Sequence, residues 1–267
     1  NADTSDGLKL TSDTSGEIQF QSGGTTKMTV SSSGVSGIPT YTGMKNRIIN
    51  GNMAIDQRNA GASITPTSSS TYTLDRYIAI LTQSSKFSVQ QNAGSVTPPV
   101  GFTNYLGATS LAATTLGSGD YFLIAQWVEG FNVADLGWGT ANAKTITISF
   151  WVRSSLTGTF GGALNNSSNN RSYPYSYTIS SADTWEKKSI TVPGDTTGTW
   201  LTTNAIGIKL RFGLGVGSTF SGTAGSWAGS NYFSATGATS VVGTSGATLY
   251  ITGVQLETGT TATDFEN

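Results

Sequence analysis

Leu8 and Leu10, Ile18 and Phe20, and Met28 and Val30 form three apolar pairs set ten residues apart, each split by one polar residue, Lys9, Gln19 or Thr29. Glycines separate the pairs. Apolar, polar, apolar is the period of a strand with one covered face. Two inward side chains per strand bury little against the roughly 1–2 kcal/mol of backbone entropy that each ordered residue costs. The ladder therefore predicts assembly, with three identical chains closing each rung around a threefold axis. Leu8, Leu10, Ile18, Phe20, Met28 and Val30 would be the trimer core. An ordinary β-meander has the same spacing. Residues 1–43 are read as a β-repeat shaft with a Ser/Gly/Pro-containing connector from Ser31 to Thr42, and residues 44–267 as a second domain.

Longer strands follow. Ile146, Ile148, Phe150 and Val152 share one face of a strand, with Thr147, Ser149, Trp151 and Arg153 on the other. Over 206–216, Ile206, Ile208, Leu210, Phe212, Leu214 and Val216 alternate with Gly207, Lys209, Arg211, Gly213 and Gly215. That is a half-buried antiparallel strand with Lys209 facing outward. The bare glycines of its second face call for a neighbouring aromatic above them, the alternative being a ligand or partner chain that approaches closely. Further strands are predicted at 76–81, 87–91, 121–128, 185–192 and 248–256. Turn residues separate them and no segment has sustained helical periodicity, so the second domain is predicted to be an antiparallel jelly-roll β-sandwich and the fold class all-β. Asp56 with Arg58, and Asp75 with Arg76, read as local ion pairs and turn hydrogen bonds. Trp151, Trp185 and Trp200 read as core or sheet-packing residues.

Composition narrows the chemistry. Charged residues are 11% of the chain and the formal net charge is −1, which gives no basic cluster for nucleic acid. Cysteine and histidine are absent, so disulfides, Cys/His zinc sites and His-based nucleophilic catalysis are excluded. No apolar run is long enough to span a bilayer as a helix, and neither membrane insertion nor a signal peptide is expected. The chain opens on Asn1 rather than Met and closes on Phe265-Glu266-Asn267, as a piece of a longer protein would.

The strings NRIINGNMAIDQRN (46–59), TYTLDRY (71–77), ITISFWVRSSLTGTF (146–160), DTWEKKSITVPGDTTGTW (183–200) and ATLYITGVQLETGTTATDFEN (247–267) occur in that order. Together they resemble bacteriophage fibre proteins that carry a carbohydrate-binding-module-like jelly roll behind a repetitive N-terminal part. The resemblance implies a homotrimer on the virion surface, attached to other virion proteins and facing extracellular host-surface glycans. It maps no sugar site. The alternatives are a head-fibre or capsid-vertex decoration protein, and a polysaccharide-degrading spike.

Sugar recognition pairs an aromatic plate with planar polar side chains. Asn165, Asn166, Asn169, Asn170 and Arg171 lead into Tyr173, Tyr175 and Tyr177, whose spacing puts three rings on one side of an extended segment. Trp227, Asn231 and Tyr232 interrupt a Gly/Ser/Thr-rich stretch, and Trp138 stands alone. All of these except Tyr177 are the glycan-binding candidates. Catalysis would need two carboxylates at a defined separation. Asp120 with Glu129 and Asp183 with Glu186 are available, but none sits in a distinctive motif, so a non-enzymatic protein without a cofactor is expected. A structural calcium held by scattered oxygens is compatible with the fold.

Overall fold

The computed structural model of the chain describes residues 2–3, 7–8, 15–23, 25–32, 34–36 and 45–266. The chain divides into two compact units, 1–44 and 45–267. In the first, β1 (Ala2–Asp3) pairs antiparallel with β2 (Gly7–Leu8), while β3 (Ile18–Ser22), β4 (Thr25–Ser31) and β5 (Gly34–Ser36) form a second antiparallel sheet in chain order. This corrects the expected ladder. The strand at Leu8 belongs to a sheet of its own, and the third strand beside Phe20 and Met28 comes from the segment read as connector. Leu10 lies outside the described residues. The cause is local: Gly23, at φ 59°, turns the chain back at once, so adjacent segments pair before distant ones. The register sets Ile18 opposite Val30 and Phe20 opposite Met28.

Residues 45–266 form two facing sheets. Their strands are β6 (Thr71–Tyr72), β7 (Tyr77–Leu81), β8 (Phe87–Gln91), β9 (Leu106–Ser110), β10 (Tyr121–Glu129), β11 (Ile146–Ser154), β12 (Gly158–Asn165), β13 (Ser172–Ile179), β14 (Glu186–Val192), β15 (Ile206–Val216) and β18 (Thr248–Thr258). Two short strands, β16 (Ser221–Gly222) and β17 (Ser234–Ala235), pair parallel to each other. One sheet runs β13-β12-β15-β10-β7-β6 and the other β14-β11-β18-β9-β8. The chain changes sheet at most connections, the pairs β6–β7, β8–β9 and β12–β13 excepted, and this winding makes the unit an antiparallel β-sandwich of jelly-roll type. The alternating apolar sets of β11 and β15 face each other across it. Phe150 meets Phe212 edge-on at 5.1 Å, and Phe87 meets Phe122 at 6.3 Å.

The first and last described segments of this unit are clasped together. Asn46 donates from Nδ2 to the carbonyls of Val254 and Glu266, and its Oδ1 accepts from the amides of Ile48 and Leu256. Lys45 Nζ reaches the Asp264 carbonyl at 3.2 Å and Glu257 at 3.8 Å. Gln126 then fixes Ile49 with reciprocal 2.9 Å hydrogen bonds to its amide and carbonyl.

The second face of β15 is not open to solvent. Lys209 and Arg211 are 7% and 4% exposed, because the β12–β13 turn reaches over Lys209 while the loop between β15 and β18, with β16 and β17, folds back over Arg211. A Cβ at Gly213 would lie 2.9 Å from the Gly161 carbonyl, and one at Gly215 would lie 2.7 Å from Val242. Backbone and small side chains, rather than an aromatic, require those glycines. The aromatic, Phe233, covers Arg211 instead, at 4.4 Å. The two expected ion pairs are also replaced. Asp56 accepts the amides of Asn59 and Gly61, Asp75 accepts that of Gln57, Arg76 pairs with Glu129, and Arg58 lies over the Tyr72 ring.

Candidate functional site

Most residues singled out as sugar contacts converge in space, but as a packed joint. The expected Asn-rich loop is the turn of the β12–β13 hairpin. Asn165 and Asn166 are fully buried. Asn166 Oδ1 accepts the amides of Asn170 and Arg171, while its Nδ2 donates to Asn170 Oδ1 and the Thr199 carbonyl. Asn165 Nδ2 ties the hairpin to the Tyr232 carbonyl, and Asn169 Oδ1 accepts from Lys209 and Arg211. Arg171 forks onto Asp195 with two 2.7 Å bonds. Burial raises the Asp195 carboxyl, but that fork and the Thr197 amide outweigh it and hold the group below the ordinary range.

The aromatic candidates are committed in the same way. Tyr173, Tyr175 and Tyr177 do share one face of β13, and that face is the core. The Tyr175 hydroxyl donates to the Arg211 carbonyl at 2.6 Å, and burial drives the phenols of Tyr175 and Tyr177 well above their usual range. Trp138, Trp200 and Trp227 stand edge to face at 4.7–5.5 Å. Their indole N–H groups donate to Lys144, Thr197 and Pro193 carbonyls respectively. The Tyr232 ring packs over Gly222, where a Cβ would meet it at 2.3 Å. Rings locked edge to edge, and amides of which Asn165 and Asn231 each keep one buried oxygen without a partner among the described residues, make a packed joint rather than the open aromatic plate that the sequence reading expected.

A different arrangement provides one. On the outer face of the five-stranded sheet lies a groove of about 420 Å³, floored by Ser149, Trp151 and Gly253. β11 supplies Ser149 and Trp151, and its neighbours place Lys187 on one side of Trp151 and Thr252 on the other. The β11–β18 register slips between Ser149 and Trp151, and Gly253, at φ 60°, takes up the irregularity. A Cβ there would sit 2.5 Å from the Phe102 ring, so the missing side chain lets Phe102 settle onto the sheet. Phe265 meets Phe102 at 5.1 Å and completes an aromatic wall. Trp151, read from the sequence as packing, is half-buried with its ring in the groove. Among the described residues, Lys187 Nζ and the Asp264 carboxylate have no side-chain hydrogen bond or ion pair. An indole face flanked by an uncommitted ammonium and carboxylate can stack on the apolar side of a sugar and hydrogen-bond its hydroxyls.

The acidic pairs considered for catalysis are spoken for. Asp120 accepts from Gly117, Gln83 and Thr82, which lower its pKa. Glu129 is raised by burial but held low overall by Arg76, and Glu186 is held low chiefly by Lys188. Asp183 pairs with Arg153. Among the described residues no group of three or more acidic side chains gathers to hold a metal ion.

No family model matches the chain, and no curated protein does. Among solved structures it is similar to the enzymatically active domain of tailspike protein 4 from bacteriophage CBA120 (TM-score 0.43, 11% identity), covering 80% of this chain and 21% of that one. It is similar to a putative sugar binding protein from Bacteroides thetaiotaomicron (TM-score 0.45, 11% identity, 80% of this chain and 100% of that one). It is also similar to TmCBM61, solved with β-1,4-galactotriose (TM-score 0.38, 10% identity, 80% and 99%). The chain thus spans about a fifth of the tailspike's length. Likenesses this distant assign no ligand to the chain.

Proposed function

We propose that this chain is a non-enzymatic, glycan-binding fibre protein of a phage virion, trimeric through residues 1–44, and that the Trp151 groove is where it holds host-surface polysaccharide. The observation that carries the reading is an indole ring lying in a mixed-polarity groove beside the Lys187 ammonium and the Asp264 carboxylate, which are otherwise unengaged among the described residues. At about 420 Å³ the groove exceeds a single sugar ring, which suits an internal stretch of a glycan chain rather than a free monosaccharide.

The non-catalytic part is supported by the state of the carboxylates. A glycosidase acid must hold its proton near neutral pH, and Asp120, Glu129 and Glu186 are shifted the other way. The trimer is supported by an apolar stripe in unit 1. Ile18, Met28 and Val30 are half-buried and Phe20 is 40% exposed, so their own chain leaves that face incompletely covered. Three linked grooves would raise avidity by about 10²–10⁴ over one weak contact.

Retention of the protein on host-surface polysaccharide, read by affinity electrophoresis, tests the proposal. Trp151→Ala should weaken binding about tenfold or more while leaving the melting temperature nearly unchanged. Tyr173→Ala should do the reverse, lowering stability without removing the groove. Full retention by Trp151→Ala would overturn the assignment. Sustained release of reducing ends from the polysaccharide would make the protein an enzyme.

A further inference from the structure

A second cavity lies on the opposite side of the sandwich, on the outer face of the six-stranded sheet. It is about 130 Å³ and is lined by Tyr72, Arg76, Ile78, Trp127, Glu129 and Asn204, among others. Three features set it apart from ordinary packing. Trp127 Nε1 is buried and finds no acceptor among the described residues, although buried donors are nearly always paired. Arg76 is held at φ 73°, a left-handed conformation that a non-glycine residue seldom adopts. Tyr72 is 44% exposed and is capped on its ring by the Arg58 guanidinium at 5.0 Å.

We propose that this cavity binds the terminal unit of a neutral glycan, one hexopyranose, separately from the Trp151 groove. Tyr72 and Trp127 offer two aromatic surfaces to the apolar sides of the ring. The unsatisfied indole N–H is shielded in the free protein, and a small turn of the Trp127 ring on binding brings it to a hydroxyl or ring oxygen. Arg76 and Glu129 are paired at 2.5 Å, with Arg76 also on the Trp127 carbonyl at 3.3 Å, so they present a fixed donor and acceptor side by side for adjacent hydroxyls. Their mutual neutralisation favours an uncharged sugar over a uronate. Asn204, exposed at the rim, supplies an amide. The cavity has room for one ring, whereas the groove on the other sheet admits a chain. A single copy would thus engage both an end and an internal stretch of polysaccharide.

Saturation-transfer NMR with the methyl glycosides of glucose, galactose, mannose and N-acetylglucosamine tests this on the full chain. At least one glycoside should take up saturation from the wild type and equally from Trp151→Ala. Trp127→Phe keeps a ring but removes the N–H, and should weaken that glycoside about fivefold or more. Should Trp127→Phe fail to fold, Asn204→Ala, a change at an exposed position, carries the same expectation. No binding of any of the four by the wild type, unchanged binding by Trp127→Phe or Asn204→Ala, or loss in Trp151→Ala would each overturn the proposal. The last outcome would leave the groove assignment standing, and polysaccharide retention without glycoside binding would separate the two.

Discussion

Lys209 is a buried cation with no carboxylate beside it among the described residues. Its Nζ donates to the Ser167 carbonyl at 2.7 Å and to Asn169 Oδ1 at 3.0 Å. Burial, and then the charge of Arg211, lower its pKa from the ordinary 10.5 to about 8. The folded value lies below the unfolded one, so between about pH 8 and 10.5 the unfolded chain binds more protons and stability rises with pH; below 8 the full cost is present. Above pH 10 the buried Tyr77, Tyr175 and Tyr177, whose phenols resist ionisation, act in the opposite direction. Urea midpoints should therefore climb from pH 8 to 10 in the wild type. Lys209→Met should flatten that climb and stabilise the protein at pH 7 by about 1–3 kcal/mol. A climb of equal size in the variant would show that other groups cause it. The same residue marks a limit of sequence reading. Alternation correctly placed Lys209 opposite Leu210, but only distant segments, the β12–β13 turn at Lys209 and the loop over 217–246 at Arg211, decide whether that second face is wet. Tyr173, Tyr175 and Tyr177 make the parallel case, since their common side was readable and its inward direction was not.

At the scale of elements, β8 and β15 begin and end where their alternation predicts, at 87–91 and 206–216, and β11 runs one residue past its alternating stretch, to Ser154. β9 and β12 were missed because Leu106–Ser110 and Gly158–Asn165 are rich in small residues and carry too few large apolar side chains to set a period. The groove was hidden for a related reason. The sequence Thr252-Gly253-Val254 looks like a continuous strand, yet the irregularity at Gly253 seats Phe102 and so builds the wall beside Trp151. Gly253→Ala should accordingly have two effects. The left-handed φ and the contact with Phe102 should cost about 1–3 kcal/mol in a denaturant titration. Polysaccharide retention should fall as Phe102 is displaced, even at temperatures where the variant is fully folded. A variant that loses stability but keeps full retention would mean that the Phe102 wall does not touch glycan.

For the whole molecule, assembly is the main expectation beyond a single chain. The Phe20 and Met28 pair is an apolar contact that its own hairpin leaves uncovered, and sedimentation equilibrium should report three chains. Phe20→Asp should shift the population to monomer, because an unpaired carboxylate in a buried axis is costly. Residues 45–266 should stay folded in that variant, with an unaltered melting transition for the sandwich. A wild-type monomer whose residues 8–30 resist proteolysis would contradict the trimer.

The clasp between Asn46 and the Val254–Glu266 stretch has a mechanical side. In a protein tethered at one end while its ligand is dragged by flow, load enters unit 2 near residue 45. Hydrogen bonds from Asn46 and Arg47 to β18 and to Glu266, with Lys45 on Asp264 and Glu257, meet that load first. They are spread over several bonds that must break together, so tension is shared rather than peeled away one bond at a time. From this joint the load passes into β18 and across its hydrogen bonds to β11, the strand that carries Trp151, so the path from residue 45 to the groove is borne by paired strands rather than by loops.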